Sequence, residues 1–158
     1  TAFAIGSGLL TLARHPEAWT DLRADPSLVP GVVVETLRYD SPTHMITRFA
    51  AADSEICGRR IRCGQAVHLV LASANRDHDV FPDADTFDIH RKVSRQAAFG
   101  LGAHFCLGAP LGRLEMEVAF TELLRRFERI ELVRGGYQPG GTLFLRGPRR
   151  LFLKLSVG

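Results

Sequence analysis

Apolar residues at Phe3, Ile5, Leu9, Leu10, Leu12 and Ala13 recur at helical spacing up to Arg14, interrupted only by Gly6 and Gly8. The pattern predicts a helix that ends at His15-Pro16, because the residue before a proline avoids the α region. Pro16 then starts a second short helix through Trp19 and Leu22, which stops near Asp25-Pro26. Pro30 suits the first turn of a third helix, and Val33, Val34 and Leu37 give it an apolar side up to about Tyr39, before Ser41-Pro42 closes it. Over residues 47–71 the period changes. Short β-prone pieces flank turn signals at Cys57-Gly58 and Cys63-Gly64, which predicts a small antiparallel element. The apolar run over 67–72 fits a strand or a short buried helix equally well. Residues 75–85 are turn-rich. The strongest helix is expected over 107–127, with Leu107, Leu111, Leu114, Val118 and Phe127 on its apolar stripe and Pro110 in its first turn. The tail reads as strands at 130–133, 143–145 and 151–155, with a turn at Gly135-Gly136 and a loop around Gly147-Pro148. The fold class is therefore mainly α with a small antiparallel β portion. Thr1 falls inside a helical pattern with no capping signal ahead of it, so 1–158 is expected to be a single partial domain whose first helix is cut.

Composition adds bounds rather than detail. With 46% hydrophobic and 23% charged residues in 158, the chain can build a real core and shows no disordered bias. A net charge of +3, with basic residues thickening after residue 90, allows an acidic protein to dock. It is too mild, and comes without a motif, for a nucleic-acid binder. No apolar run reaches a membrane-spanning length. Three cysteines, Cys57, Cys63 and Cys106, with no C-x-x-C, argue against a disulfide framework or a zinc site and for a reducing, cytoplasmic setting. Asp77, His78 and Asp79 read as a turn bonded to itself rather than as metal ligands.

Chemistry concentrates between Phe99 and Arg113. Gly100, Gly102 and Gly108 frame Cys106 directly ahead of the long helix. Glycines so placed serve backbone that takes positive φ or approaches a neighbour closely, and a helix start favours a thiolate. The thiolate could be a nucleophile with His104 as base, but nothing in the sequence is set to orient that histidine. One sulfur is too few ligands for zinc. It suffices for heme iron, where the porphyrin supplies four ligands of its own. Elsewhere Glu35 and Arg38 lie three apart on one helix face, which by itself suits a surface ion pair.

The run Phe99-Gly100-x-Gly102-x-His104-x-Cys106-x-Gly108, followed by Leu111 and Arg113, resembles the heme-binding signature of the cytochrome P450 family. Glu35-Thr36-Leu37-Arg38 resembles that family's E-x-x-R helix. Residues 75–77, 81–83 and 87–91 resemble the segment that brings a second arginine, here Arg91, to the same cluster. Arg48 stands at the arginine position beyond that helix, and residues 14–16 resemble the end of the central helix of soluble bacterial members. The likeness runs the length of the chain and implies the C-terminal part of the P450 fold with heme b (iron protoporphyrin IX).

By that resemblance, Cys106 is the iron ligand, its thiolate favouring O–O cleavage. Phe99 covers the sulfur side of the ring, and Gly100, Gly102 and Gly108 let the backbone approach it. His104 and Arg48 meet the propionates. Glu35, Arg38 and Arg91 form a buried structural network, which replaces the surface pair suggested by spacing alone. Thr43, His44, Met45, Ile46, Leu143 and Phe144 contact substrate. The function implied is a monooxygenase fragment that inserts one oxygen atom into a small organic substrate, with electrons from a ferredoxin or flavodoxin-like donor docking near Arg95, Arg113 and Arg126. The family's acid–alcohol pair would lie ahead of Thr1, so the fragment alone is expected to be inactive. A heme-binding module without turnover is the alternative. The family's alanine ahead of the arginine at 113 is Gly112 here.

Overall fold

The computed structural model describes residues 1–93 and 95–157. Three helices open it: α1 (Ala2–Arg14), α2 (Pro16–Ala24) and, after a single 3-10 turn at Pro26–Leu28, α3 (Val29–Tyr39). Proline punctuates each as expected. Pro16 and Pro30 stand in first turns, where a missing N–H leaves no bond unmade. The Asp25 side chain accepts from Ser27 N–H and caps the 3-10 turn. Strands β1 (Ile46–Phe49) and β4 (Ala66–Leu69) pair antiparallel, and β2 (Ser54–Ile56) with β3 (Arg59–Ile61) forms a hairpin between them. Cys57 and Gly58 at its turn both take positive φ. The ambiguous run after Val67 is both things in succession, since β4 ends at Leu69 and the four-residue helix α4 (Leu71–Ala74) follows. Helix α5 (Ala109–Arg126) and a long hairpin of β5 (Arg129–Gly141) and β6 (Arg146–Ser156) complete the chain.

The core lies where α1, α3 and α5 meet, with Trp19 and Leu22 of α2 closing one side. Leu12, Val32, Val33, Met116 and Phe120 are almost wholly buried there. Gly8 permits the approach. A Cβ at that position would stand 2.5 Å from Phe120 Cζ and 3.2 Å from Thr36 Cγ2, so only glycine lets α1 lie this close to α5.

Two expectations are corrected. The stripe Leu107, Leu111, Leu114 and Val118 is not the core face of α5. Leu107 is 97% exposed and lies ahead of the helix, while Leu114 and Val118 are more than half exposed. The buried side carries Ala109, Met116, Phe120 and Leu124. Both sets repeat at three- and four-residue spacing, so periodicity alone could not choose between them. The tail is also simpler than expected. Gly135-Gly136 does not reverse the chain. It is a bulge within β5, with Gly135 at φ +70° and the register shifted between Leu132 and Tyr137. Gly147 and Pro148 are strand residues of β6, opposite Gly140 and Pro139. The reversal occurs at residues 142–145 instead, where Thr142 Oγ1 accepts from Phe144 N–H and Leu145 N–H.

Candidate functional site

A cavity of about 550 Å³ opens between the start of α1, the end of α3, β1 and the loop that leads into α5. Its wall includes Phe99, Gly100, His104, Cys106 and Gly108 of the cysteine loop together with Arg48 of β1, about fifty residues earlier in the chain. Thr43 and Ile46 line it as well. His44, Met45, Leu143 and Phe144 are not on its wall, nor is Gly102. Leu143 is 77% exposed at the hairpin tip. Leu37, Leu111 and Gly112, which stand within the motifs, line it too, and the remaining wall carries no sequence signal: Thr1 ahead of α1, Ala4, Pro42, Leu71, Ala98, and Glu115 and Met116 of α5. Residues scattered singly over separate segments carry no local pattern that would announce a shared surface.

The cysteine loop is shaped by its backbone. Gly100 (φ +72°) and Gly102 (φ +76°) both adopt the left-handed conformation that side chains disfavour. Gly100 N–H donates to Ala97 O at 2.8 Å, Phe105 N–H to Gly102 O at 3.0 Å and Cys106 N–H to Phe99 O at 3.0 Å. Cys106 O in turn accepts from Ala109 N–H at 3.2 Å, which ties the loop to the first residue of α5. A Cβ on Gly108 would lie 3.8 Å from Cys106 Sγ. Phe99 packs edge-on to Phe105, with centroids 6.3 Å apart, and carries the Arg113 guanidinium 5.3 Å from its ring centre.

Behind this loop, Glu35 and Arg38 make a bidentate pair at 2.7 and 2.8 Å, with side chains at most 1% exposed. The other Arg38 donors go to backbone carbonyls: Asn75 at 2.9 Å, Ala84 at 2.8 Å and Thr86 at 3.0 Å. All five guanidinium N–H groups are thereby used. Glu35 Oε1 also accepts from Asp88 N–H at 3.0 Å and Arg91 Nε at 3.3 Å, and Arg91 reaches the carbonyls of Pro82, Asp83 and Thr86. The three residues therefore do meet, and they meet in the interior.

His44 has its pKa lowered from 6.5, first by partial burial and then by the nearby Arg146 guanidinium, with Asp40 opposing. In the 75–85 loop Asp77 accepts from Asp79 N–H at 2.9 Å, and His78 pairs with Asp85 rather than with its chain neighbours.

The donor set of the cavity has a definite character. It offers one thiol (Cys106), two groups able to hold an anion (Arg48 and His104), one carboxylate (Glu115) and otherwise a mostly apolar wall that includes the Met116 thioether. Neither Arg48 nor His104 pairs with a carboxylate among the described residues, and Arg48 donates only to the carbonyl of Thr47. Such a set fits a flat apolar group that brings its own in-plane metal ligands and carries carboxylates at its edge.

Known proteins carry the same features. A family model described as Cytochrome P450 matches residues 1–154. A biotin biosynthesis cytochrome P450 of Bacillus subtilis (strain 168) is 44% identical over 132 residues, covering 84% of this chain and 33% of that protein. The 20-oxo-5-O-mycaminosyltylactone 23-monooxygenase of Streptomyces fradiae is 47% identical over 126 residues, covering 80% and 30%. Among solved structures, cytochrome P450 CYP109Q5 from Chondromyces apiculatus superposes with a TM-score of 0.94 at 46% identity, over 99% of this chain and 40% of that one. P450BioI in complex with an acyl carrier protein ligated to hexadec-9Z-enoic acid gives 0.92 at 38% identity, over 98% and 40%. The chain thus spans about a third of the length of the curated relatives it matches.

Proposed function

Since the chain belongs to the cytochrome P450 family, we propose that it forms the heme-thiolate portion of a monooxygenase, with Cys106 as the iron ligand and heme b as the bound group. The observation that carries this reading is the cavity itself, whose wall brings the Cys106 thiol together with Arg48 and His104 amid mostly apolar surface. When bound, the heme would supply dioxygen activation at iron, driven by electrons from a partner.

The chain's own residues have separate tasks. Cys106 supplies a soft anionic ligand, and the loop hydrogen bonds fix its backbone before any ligand arrives. Arg48 and His104 neutralise the propionates in charge-assisted contacts. Phe99, Ala98, Leu37 and Met116 exclude water from one side of the cavity. Glu35, Arg38 and Arg91 brace the 75–91 segment behind the loop. Thr43 and Ile46 are the substrate-facing residues the geometry supports, and the substrate is a small, partly apolar organic molecule. An acidic ferredoxin or flavodoxin-like donor would meet the face around Arg113 and the exposed Leu107. A protein with no membrane-spanning helix among the described residues and free cysteines suits the cytoplasm.

Heme titration followed by a reduced carbon-monoxide difference spectrum tests this. The expected band is strongly red-shifted and is lost in Cys106→Ala and Cys106→His. A red-shifted band that survives both substitutions would remove Cys106 from the iron. Heme bound through Cys106 with no substrate-dependent oxygen consumption in the whole protein would leave a binding module.

A further inference from the structure

Asn75 ends α4 and is wholly buried, whereas Asp77, His78 and Asp79 just after it are exposed. Its two carbonyl groups face different partners. The backbone oxygen accepts from Arg38 Nη1 at 2.9 Å, and the side-chain Oδ1 accepts from Ala97 N–H at 2.6 Å. Its Nδ2 has no partner among the described residues, so the side chain is held inside for one bond. Burying an amide for a single contact is costly unless that contact fixes something. What it fixes is the start of the cysteine loop. Ala97 O receives Gly100 N–H, and two residues beyond Ala97 the carbonyl of Phe99 receives Cys106 N–H. Hydrogen bonds and two-residue steps of chain therefore lead from Glu35 through Arg38, Asn75 and Ala97 to Cys106.

We propose that Asn75 is a positioning residue for Cys106: its side-chain carbonyl ties the cysteine loop to the backbone that Arg38 clamps. The ion-pair cluster and the thiol are then one mechanical unit, joined at a single amide. Glu35 and Arg38 fix Asn75, and Asn75 fixes the loop. The consequence for iron ligation rests on the heme-thiolate reading above, but the tie itself does not.

Amide hydrogen exchange on the full chain tests the tie without heme. In Asn75→Ala the amides of Ala97, Gly100 and Cys106 should exchange at least tenfold faster while those of α3 stay as they were. Asn75→Asp keeps Oδ1 and the shape and replaces an Nδ2 that has no partner among the described residues; it also buries a carboxyl, which costs stability throughout, so the three amides, read relative to those of α3, should return to within about threefold. Acceleration confined to Ala97 would overturn the proposal, and so would Asn75→Asp behaving like Asn75→Ala. Should Asn75→Ala also loosen α3, the near-isosteric Asn75→Leu, which leaves no cavity, decides by the same criterion. In heme-loaded protein, Asn75→Ala should diminish the red-shifted carbon-monoxide band and Asn75→Asp should restore it. Exchange that behaves as expected, in a protein whose band ignores Cys106→Ala, keeps the tie and discards thiolate ligation. The two failures are thus distinguishable.

Discussion

Arg38→Met is the most informative single perturbation of the scaffold. Methionine fills much of the same space but removes every donor. Glu35, with a side chain 1% exposed, would lose its bidentate partner. Removing one member of a buried ion pair costs about 3–5 kcal/mol, because the remaining charge stays buried. The carbonyls of Asn75 and Ala84 would be orphaned too, at about 1–3 kcal/mol each where no water reaches them. Two features soften the loss. Glu35 keeps Asp88 N–H and Arg91, and Thr86 O keeps Arg91. We expect a destabilisation of about 3–5 kcal/mol, against a total of roughly 5–15 kcal/mol for a domain. That corresponds to a fall in Tm of roughly 6–20 °C for a chain of this size. Trp19 is the single tryptophan and is 3% exposed, so its fluorescence reports urea unfolding of the core directly. Adding Glu35→Gln should recover part of the loss by removing the stranded charge. A cost for Arg38→Met below about 1 kcal/mol, the range of an exposed ion pair, would refute the buried network.

Helix packing gives two opposed glycine predictions, both read by urea midpoints. Gly8→Ala should destabilise by about 1–2 kcal/mol, since strain against Phe120 Cζ exceeds the helix-propensity gain. Gly112→Ala should instead stabilise by roughly 0.5–1 kcal/mol, because the nearest atoms to its Cβ are 3.8 Å away, an ordinary contact. His44 has a folded pKa below its usual 6.5, so the unfolded chain binds the proton more readily. Its contribution is fully present above pH 6.5 and is lost as pH falls through the folded value. His44→Gln should flatten that part of the stability–pH curve, and an unchanged slope would assign it to other groups. Heme binding to the 158 residues alone is expected to be weaker than to a full-length relative, as the rate of heme transfer to excess apomyoglobin would show. Equal rates would mean that these residues suffice.

Local rules read the first half of the fold well because proline states its positions plainly. Pro16 and Pro30 mark helix starts whatever the rest of the chain does. They failed where two answers satisfy one rule. Helix α5 has apolar residues on both sides, and only the position of α1 and α3 decides that Met116 and Phe120 face inward. Gly135-Gly136 suits a turn and a bulge equally, and its partner strand chooses the bulge. At the site, the residues with unusual chemistry were visible, since cysteine, glycine and arginine at fixed spacing carry their own signal. Asn75 was legible as a turn residue and as part of a family-like segment, but not as a tie, because that role depends on Ala97, which lies 22 residues away.

Arg38 and Arg91 reach the 82–86 segment through its carbonyls, not its side chains. A carbonyl is the same whichever residue carries it. Thr86 and Pro82 point outward and are exposed, so the bracing tolerates other residues there. Positions 82 and 86 can take substitutions, or a label or affinity handle at Thr86, while the path of the backbone is kept; Ala84, wholly buried, and Asp85, paired with Arg76 and His78, do not share that freedom. Rigid backbone and variable surface are usually traded against each other, and here an arginine pair lets one loop have both.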